Sequence, residues 1–270
     1  MARRFQPTLA LTGGLALLGT ALVILLPVSV LALKGAEGGW SAMLEVLAEP
    51  RVRMAILLSL GGALGAAAFN LLAGTLTAWV LVRYPFPGRR IVDALVDLPF
   101  ALPTAVAGLT LAAVWGANGW LGALLPFPAV YNRLGVGLAL AFVGLPFVVR
   151  TLQPVLEELP RELEEAAACL GASRLQTLRR VVLPQVAPAL FTGFALAFAR
   201  AVGEYGSVVF ISGNLPMKTE IAPLLIVAKL EQYDYRGAIA LALVLLAISL
   251  LVLLGVQLLQ WRTGRRWIRG

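Results

Sequence analysis

Two charged residues lie four positions apart inside a long apolar run of the chain. Arg200 and Glu204 are the only charged side chains between residues 185 and 211. Because residues at this spacing share one face of a helix, the two side chains are expected to lie side by side. Ionisable groups at membrane depth usually face a protein interior or a water-filled path. The pair therefore predicts either an internal ion pair or a site where Arg200 attracts an anion and Glu204 limits how tightly it is held.

A second pair of acids, Asp93 and Asp97, has the same spacing at one end of another apolar run. Two carboxylates repel an anion, so their charge argues against a direct role in anion binding. We expect them to make interhelical polar contacts instead. The candidate partners are Arg89, Arg90 or a second membrane subunit.

The composition excludes most enzymatic chemistry. The 270 residues include one cysteine and no histidine, so Ser-His or Cys-His catalysis, the usual zinc sites and an internal disulfide are all excluded. No G-x-x-x-x-G-K-[ST] sequence that would cradle nucleotide phosphates occurs. We therefore predict a chain without catalytic residues, without a metal and without a cofactor of its own.

The apolar content indicates a polytopic membrane protein. Hydrophobic residues make up 60% of the chain and charged residues 13%, whereas soluble domains carry about 25% charged residues. Crossing the hydrocarbon core takes about 20 apolar residues in a helix. The sequence predicts an all-α bundle of about six transmembrane helices, at roughly 10–33, 54–82, 91–115, 134–152, 185–211 and 237–261.

Charge places the termini. With six spans, 14 of the 22 lysines and arginines fall on the side of the two termini and seven on the other side, while Arg200 lies within a span. Lysine and arginine accumulate in cytoplasmic loops. Both termini and the segment 157–184 are therefore predicted to be cytoplasmic, and the net charge of +8 needs no nucleic-acid partner.

The segment 157–184 is polar and begins with a helix signal. Pro160 suits the first position of a helix, where the missing N–H costs nothing. The acids Glu162, Glu164 and Glu165 follow, near the positive end of the helix dipole. Gly171 can adopt the left-handed conformation that ends a helix.

A second short helix is predicted directly after this glycine. Ser173 and Gln176 have the spacing of a capping box, which starts a helix. Pro184 is expected to close it. The pattern thus predicts two short cytoplasmic helices joined at Gly171, placed to contact a soluble partner.

These residues carry a family resemblance. Glu165-Ala166-Ala167, Gly171 and Val181-Val182-Leu183-Pro184, at their spacings, resemble the EAA loop of ATP-binding-cassette (ABC) importer permeases, with valine in place of the usual isoleucine. Residues 102–108, 118–122, 200–207 and 211–216 resemble the CysT family of sulfate/thiosulfate permease subunits, and residues 220–235 resemble that family more than its molybdate relatives. The resemblance covers about residues 55–260.

The resemblance implies a fold, a function and partners. The fold would be the MetI-like architecture of type I importer permeases, as a single transmembrane domain over 1–270. The chain would carry sulfate or thiosulfate across the bacterial inner membrane by alternating access. Its partners would be a homologous second permease in a heterodimer, two copies of a cytoplasmic ABC ATPase that binds ATP and magnesium, a periplasmic or lipid-anchored sulfate-binding protein, and membrane lipid.

The resemblance also implies site residues. Those coupling the chain to the ATPase would be Glu164, Glu165, Ala166, Ala167, Gly171, Ala172, Leu183 and Pro184. Candidates for the translocation pathway or its gate are Arg200, Glu204, Tyr205, Ser207 and Asn214.

Three other functions remain open at this point. A molybdate or tungstate permease would use the same coupling, because sulfate and molybdate are both tetrahedral dianions. An ion-coupled secondary transporter would leave the two cytoplasmic helices unexplained. A membrane-embedded enzyme lacks a convincing nucleophile and base.

Overall fold

The computed structural model describes the backbone of residues 7–267 and, apart from positions 42 and 256, the side chains of residues 12–258. Secondary structure in this part of the chain is entirely helical. The α-helices are α1 (Pro7–Thr20), α2 (Leu26–Glu37), α3 (Gly39–Ala48), α4 (Pro50–Arg83), α5 (Arg89–Val96), α6 (Leu98–Ala101), α7 (Thr104–Trp115), α8 (Arg133–Glu158), α9 (Glu162–Cys169), α10 (Arg174–Thr177), α11 (Leu183–Val202), α12 (Gly206–Ser212), α13 (Ala222–Glu231) and α14 (Tyr235–Trp267). Two π-helical turns, Ala21–Leu25 and Leu178–Val182, and a 3-10 turn, Gly122–Leu124, complete them.

Five helical stretches of the described chain are long and apolar enough to cross a membrane. They are Thr12–Glu37, Pro50–Arg83, Arg133–Glu158, Arg174–Val202 and Tyr235–Gly255. These correspond to five of the six predicted spans, and the all-α membrane fold is confirmed.

The third predicted span, 91–115, is not one continuous helix. It is divided into α5, α6 and α7, and its apolar helix covers only Thr104–Trp115. Pro99 is the second residue of α6, and Pro103 directly precedes α7. Leu102 is extended, with φ −84° and ψ 134°, as expected for a residue before proline. The prolines break this span instead of only bending it.

The fifth predicted span, 185–211, is wrong at both ends. Its helix begins eleven residues earlier, because Arg174–Val202 is continuous. Pro184 therefore lies near the start of α11 and does not end the second short helix. The preceding π-helical turn, in which the N–H of Leu183 donates to Leu178 O, widens the helix where a proline ring would otherwise crowd the preceding turn.

At its other end this helix stops before the predicted limit. α11 ends at Val202, residues 203–205 are not helical, and α12 resumes at Gly206. Glu204 lies in this break. The break places a buried carboxylate and the start of a short helix inside the bundle.

The core is formed where α4, α8 and α11 pack together. One end of the bundle carries residues 83–90 and 157–184, and we call it the arginine-rich end. The opposite end carries residues 49–51, 131–133 and 218–229. Since α4, α8 and α14 each have 26 residues or more, each is long enough to join the two ends at about 1.5 Å per residue.

Candidate functional site

The segment 157–184 forms a helix–turn–helix that projects from the arginine-rich end. α9 ends at a left-handed Gly171, with φ +79°, as predicted. Ser173 and Gln176 form the predicted capping box: Ser173 N donates to Gln176 Oε1 at 2.8 Å, and Gln176 N donates to Ser173 Oγ at 3.4 Å. Pro160 lies two residues ahead of α9, so it is not the first helical residue.

This segment has an outward and an inward face. Leu170 is 88% exposed, which is unusual for a large apolar side chain, and Leu163, Leu175 and Leu178 are also exposed. Of the predicted coupling residues, the exposed ones are Glu165, Ala166 and Gly171, and the partly buried ones are Glu164, Ala167, Ala172, Leu183 and Pro184. Four exposed leucines in one short segment indicate an apolar patch, and such patches mark surfaces that another protein or a membrane covers.

An ion pair fastens the inward face to the bundle. Arg83 Nη2, at the last residue of α4, lies 3.0 Å from Glu164 Oε1 in the first turn of α9, a charge contact without the geometry of a hydrogen bond. Arg83 also donates to Leu159 O at 3.1 Å, and its guanidinium lies 5.6 Å from the centre of the Trp79 ring. Because the Arg83 side chain is only 9% exposed, this pair is better shielded than a surface salt bridge.

Asp93 and Asp97 meet neither Arg89 nor Arg90 in a hydrogen bond; their partner is Arg150 of α8. Arg150 donates to Asp93 Oδ1 at 2.6 Å, to Asp97 Oδ1 at 2.7 Å and to Asp97 Oδ2 at 2.6 Å. It donates also to the Asp93 carbonyl at 2.7 Å, while Gln153 donates to Asp93 Oδ1 at 3.0 Å. This Arg150 clasp joins α5 to α8.

Arg200 and Glu204 form an ion pair, with Arg200 Nη1 2.5 Å from Glu204 Oε2. The Glu204 side chain is 1% exposed and that of Arg200 is 32% exposed. The other carboxylate oxygen of Glu204 accepts from the N–H and from the hydroxyl of Ser207, both at 2.9 Å. Glu204 therefore caps α12 as well as neutralising Arg200.

α7 and α12 pack with almost no space between their backbones. A Cβ on Gly108 would lie 2.3 Å from Ser207 O, and one on Gly206 would lie 2.1 Å from Thr104 Oγ1. Both positions therefore require glycine, and small residues of this kind let helices approach closely in membranes. Tyr205, just before α12, is 40% exposed, so the break is accessible from one side.

The segment after α12 is tied to the start of α4 at the opposite end. Arg51 Nε and Nη2 each donate to Glu220 at 2.7 Å, in a bidentate pair whose carboxylate is 1% exposed. Ser59 Oγ accepts from Ala222 N at 2.7 Å. Asn214 has a positive φ of 45° and a buried Oδ1 without a partner. The predicted gate residue Asn214 thus lies in a loop held by charged side chains.

A second charged group stabilises the same end. Lys229 Nζ lies 2.9 Å from Asp234 Oδ2 and 3.2 Å from Glu49 Oε2. The hydrogen bond from Lys229, followed by that from Gly237 N, lowers the pKa of the Asp234 carboxyl below its ordinary value. Burial acts to lower the pKa of Lys229, but the hydrogen bonds with Asp234 and Glu49 outweigh it and raise that pKa.

Sequence reasoning missed Arg83 and Arg150, which carry the contacts at the arginine-rich end. Both were counted only as positive charges of cytoplasmic loops. Arg150 lies inside the predicted fourth span, 134–152, and an ionisable residue within a span was the signal that could have identified it. No local signal pairs Arg83 with Glu164, because 81 positions separate them.

The sequence matches a known family over most of its length. Residues 70–265 match the family described as binding-protein-dependent transport system inner membrane component. The chain is 49% identical over 268 residues to the sulfate transport system permease protein CysT of Salmonella typhimurium, covering 98% of this chain and 97% of that protein. It is 53% identical over 240 residues to the probable sulfate transport system permease protein cysT of Nephroselmis olivacea, covering 88% of this chain and 84% of that protein.

Solved structures share the fold at low sequence identity. A chain of a bacterial alginate ABC transporter, in complex with an alginate pentasaccharide-bound periplasmic protein, matches with a TM-score of 0.75, 16% identity and coverage of 94% of this chain and 96% of that one. A chain of the MetNI methionine ABC transporter, in inward-facing conformations, matches with a TM-score of 0.59, 17% identity and coverage of 77% and 94%.

Proposed function

The chain belongs to the family of binding-protein-dependent transport system inner membrane components, and within that family to the CysT sulfate transport permeases. On that premise we propose that it is the sulfate/thiosulfate translocation subunit of an ABC importer. The observation that carries the proposal is the 49% identity over 98% of the chain with a sulfate permease. A single permease domain over 1–270, with its core at about 55–260, is part of the same proposal.

The helix–turn–helix of residues 157–184 is the proposed contact with the ATPase. Its outward face presents Leu170 and Leu163, which a cleft on a soluble partner can cover, and Glu165, which can meet a basic side chain. The left-handed Gly171 fixes the angle between α9 and α10. Burial of such leucines supplies about 1.5–3 kcal/mol for each fully covered side chain.

The inward face passes the motion of the ATPase to the membrane helices. When the ATPases close on ATP, α9 moves with them. The Arg83–Glu164 pair transmits this displacement to the end of α4, which is a helix of 34 residues. A rigid helix of this length carries the displacement to the opposite end of the bundle.

A second route runs through the Arg150 clasp. α5 follows α4 after a short turn, and the clasp holds α5 to α8. Beyond α5 the broken span continues into α7, which packs backbone to backbone with α12. A movement at the arginine-rich end can therefore reach the break at residues 203–205 and the loop that holds Asn214.

The break beside Arg200 is the proposed place where the anion passes. Arg200 keeps about a third of its side chain exposed, which leaves the guanidinium able to attract a dianion. Glu204 neutralises most of this charge. An ion that is bound tightly midway cannot leave, so a partly neutralised arginine suits a path better than a free one. Tyr205 lies in the same break, and the buried Ser207 follows it in α12.

The remaining functions belong to partner chains in this proposal. The chain has no catalytic residues, so two copies of a cytoplasmic ABC ATPase bind and hydrolyse ATP with magnesium. A homologous second permease completes the path, and a periplasmic or lipid-anchored binding protein delivers sulfate to the opposite end. The arginine-rich end and both termini lie on the cytoplasmic side of the bacterial inner membrane, as the excess of positive charge there supports.

Cross-linking tests the contact with the ATPase. In a Cys169→Ser background, Leu170→Cys is expected to form a cross-link with the ATPase subunit in the purified complex. Trp120→Cys is the matched control, because both native side chains are 88% exposed and Trp120 lies between α7 and α8, outside the segment. Equal cross-linking of the two positions, or none at Leu170→Cys in an assembled complex, would refute the docking surface.

A further inference from the structure

A deep groove opens beside the segment 157–184, and Glu164, Ala172 and Leu183 of the predicted coupling residues are part of its lining. Its volume is about 850 Å³, within the range of about 300–1,000 Å³ that small-molecule sites occupy. One wall is the side of α4 and the other is formed by α9, α10 and α11. Its lining includes Leu71, Leu72, Leu76, Leu183, Leu190 and Arg174.

The groove has the length of one membrane leaflet. Its lining on the α4 side runs from Leu71 to Trp79 and on to Tyr84, and the helix from Leu71 to its end at Arg83 rises about 18 Å. Half of a hydrocarbon core is about 15 Å thick. Leu72 and Leu76 are 75% and 65% exposed, so the groove is open toward the hydrocarbon. Its shape therefore fits an acyl chain.

The mouth of the groove is built for an interface with water. Trp79 and Tyr84 line it there, and tryptophan and tyrosine are enriched at the level of lipid headgroups. The two threonines in the lining are satisfied internally, since Thr75 donates to Leu71 O and Thr177 to Ser173 O. These hydroxyls therefore do not call for a polar ligand deeper in the groove.

The charge at the mouth is positive. Two charged residues line the groove, Glu164 and Arg174. The charge of Glu164 is neutralised by Arg83, whereas Arg174 has no ion-pair partner within the described part of the chain. Arg179 and Arg180 lie further along the same helical stretch and do not line the groove, but they are exposed and likewise unpaired among the described residues. A phosphate group at the mouth would complement this charge, because basic clusters beside a membrane attract anionic lipid.

We propose that this groove binds an anionic phospholipid of the leaflet at the arginine-rich end, with an acyl chain between α4 and α11 and the headgroup phosphate at Arg174. Such a lipid would lie against the coupling segment on one side and α4 on the other. It would thereby support the packing that the Arg83–Glu164 pair fastens. The site requires only that the chain spans a membrane and is independent of which anion is transported.

Native mass spectrometry of the assembled complex tests the site. The purified complex is titrated with phosphatidylglycerol and with phosphatidylcholine of the same acyl chains. Arg174→Gln is expected to weaken phosphatidylglycerol binding about fivefold, the contribution of one basic residue near a membrane surface. Leu76→Trp, which fills the groove at an exposed position, is expected to reduce binding of both lipids.

Arg90→Gln is the matched control, because Arg90 is an exposed arginine at the same end that does not line the groove. If Arg174→Gln and Arg90→Gln weaken phosphatidylglycerol binding equally, the effect comes from the general positive charge of this end, and the proposed site is wrong. A cross-link from Leu76→Cys to the second permease would also overturn it, since a protein helix would then fill the groove. Sulfate uptake is measured on the same samples. If the complex binds the lipid as expected but does not take up sulfate, the proposed function fails and the lipid site is still supported.

Discussion

Arg83 Nη2 lies 3.0 Å from Glu164 Oε1, joining the last residue of α4 to the first turn of α9. The two residues are far apart in sequence and belong to different functional parts, one to a membrane helix and one to the segment 157–184. Because the Arg83 side chain is 9% exposed and that of Glu164 is 29% exposed, most of the pair is shielded from solvent. It is a side-chain contact between the proposed docking surface and α4, in addition to the continuous helix Arg174–Val202 that joins the segment to α11.

Charge reversal tests this contact. Arg83→Glu or Glu164→Arg alone places like charges together and is expected to cost about 1–3 kcal/mol, between the values for exposed and buried pairs. Transport-coupled ATPase activity should fall in each single variant and recover in the double variant with the charges exchanged. Arg90→Glu controls for net charge. No recovery in a double variant that still assembles would contradict the mechanical role.

Gly171 tests the angle between α9 and α10. It has φ +79° and nothing within 4 Å of an added Cβ, so a substitution meets only backbone strain. Gly171→Val is expected to cost at least about 1–2 kcal/mol locally and to uncouple ATP hydrolysis from transport. Gly171→Asn should keep most activity, since asparagine tolerates this conformation. Assembly is checked by size-exclusion chromatography, and equal activity of the two variants would count against a fixed angle.

Variants of the Arg200–Glu204 pair distinguish a role in stability from a role in transport. Glu204→Gln leaves Arg200 unpaired and weakens the cap of α12, so we expect a lower Tm and poor yield. The double variant Arg200→Gln, Glu204→Gln removes both charges and should recover much of the stability. If Arg200 attracts the anion, the double variant still transports several-fold less sulfate than the native complex. A double variant with native uptake would leave the pair a purely structural role.

Asp234 gives a pH dependence with a defined sign. Its pKa is lowered by Lys229 and Gly237 N, so its contribution to stability is present above its unfolded pKa of about 3.9. That contribution is lost as the pH falls through the lower folded pKa. The raised pKa of Lys229 keeps its own contribution in place up to about pH 10.4.

Asp234→Asn is therefore expected to lower the Tm at pH 7. The decrease should be modest, because the Asp234 side chain is 42% exposed. Near pH 3 the Tm difference between the variant and the native chain should be smaller. The control is Glu231→Gln, an exposed acid. Thermal unfolding of the purified chain in detergent at both values measures the difference. A larger difference at pH 3 than at pH 7 would contradict the assigned ion pair.

The parts predicted from the sequence are those set by local chemistry. The capping box of Ser173 and Gln176 and the left-handed Gly171 depend on neighbours within a few residues, and both are present. The long apolar spans follow from composition alone. The prediction that Pro184 ends the second short helix was wrong, because a proline can also lie near a helix start. The π-helical turn before Pro184 keeps the helix continuous.

The parts that could not be predicted depend on distant partners. Arg89 and Arg90 were predicted as partners of Asp93 and Asp97 because they are close in sequence. The packing of α5 on α8 instead brings Arg150 to the two acids from more than fifty residues away. The break at residues 203–205 is another such case. A run of apolar residues does not reveal that a buried Glu204 caps a new helix there.

Uptake by the reconstituted complex tests the central claim most directly. The chain is assembled in vesicles with the proposed second permease, ATPase and binding protein, and labelled sulfate is followed with and without ATP. We predict ATP-dependent accumulation that unlabelled sulfate and thiosulfate displace at lower concentrations than molybdate does. Uptake that proceeds without the ATPase, or that molybdate displaces at far lower concentration than sulfate, would contradict the account.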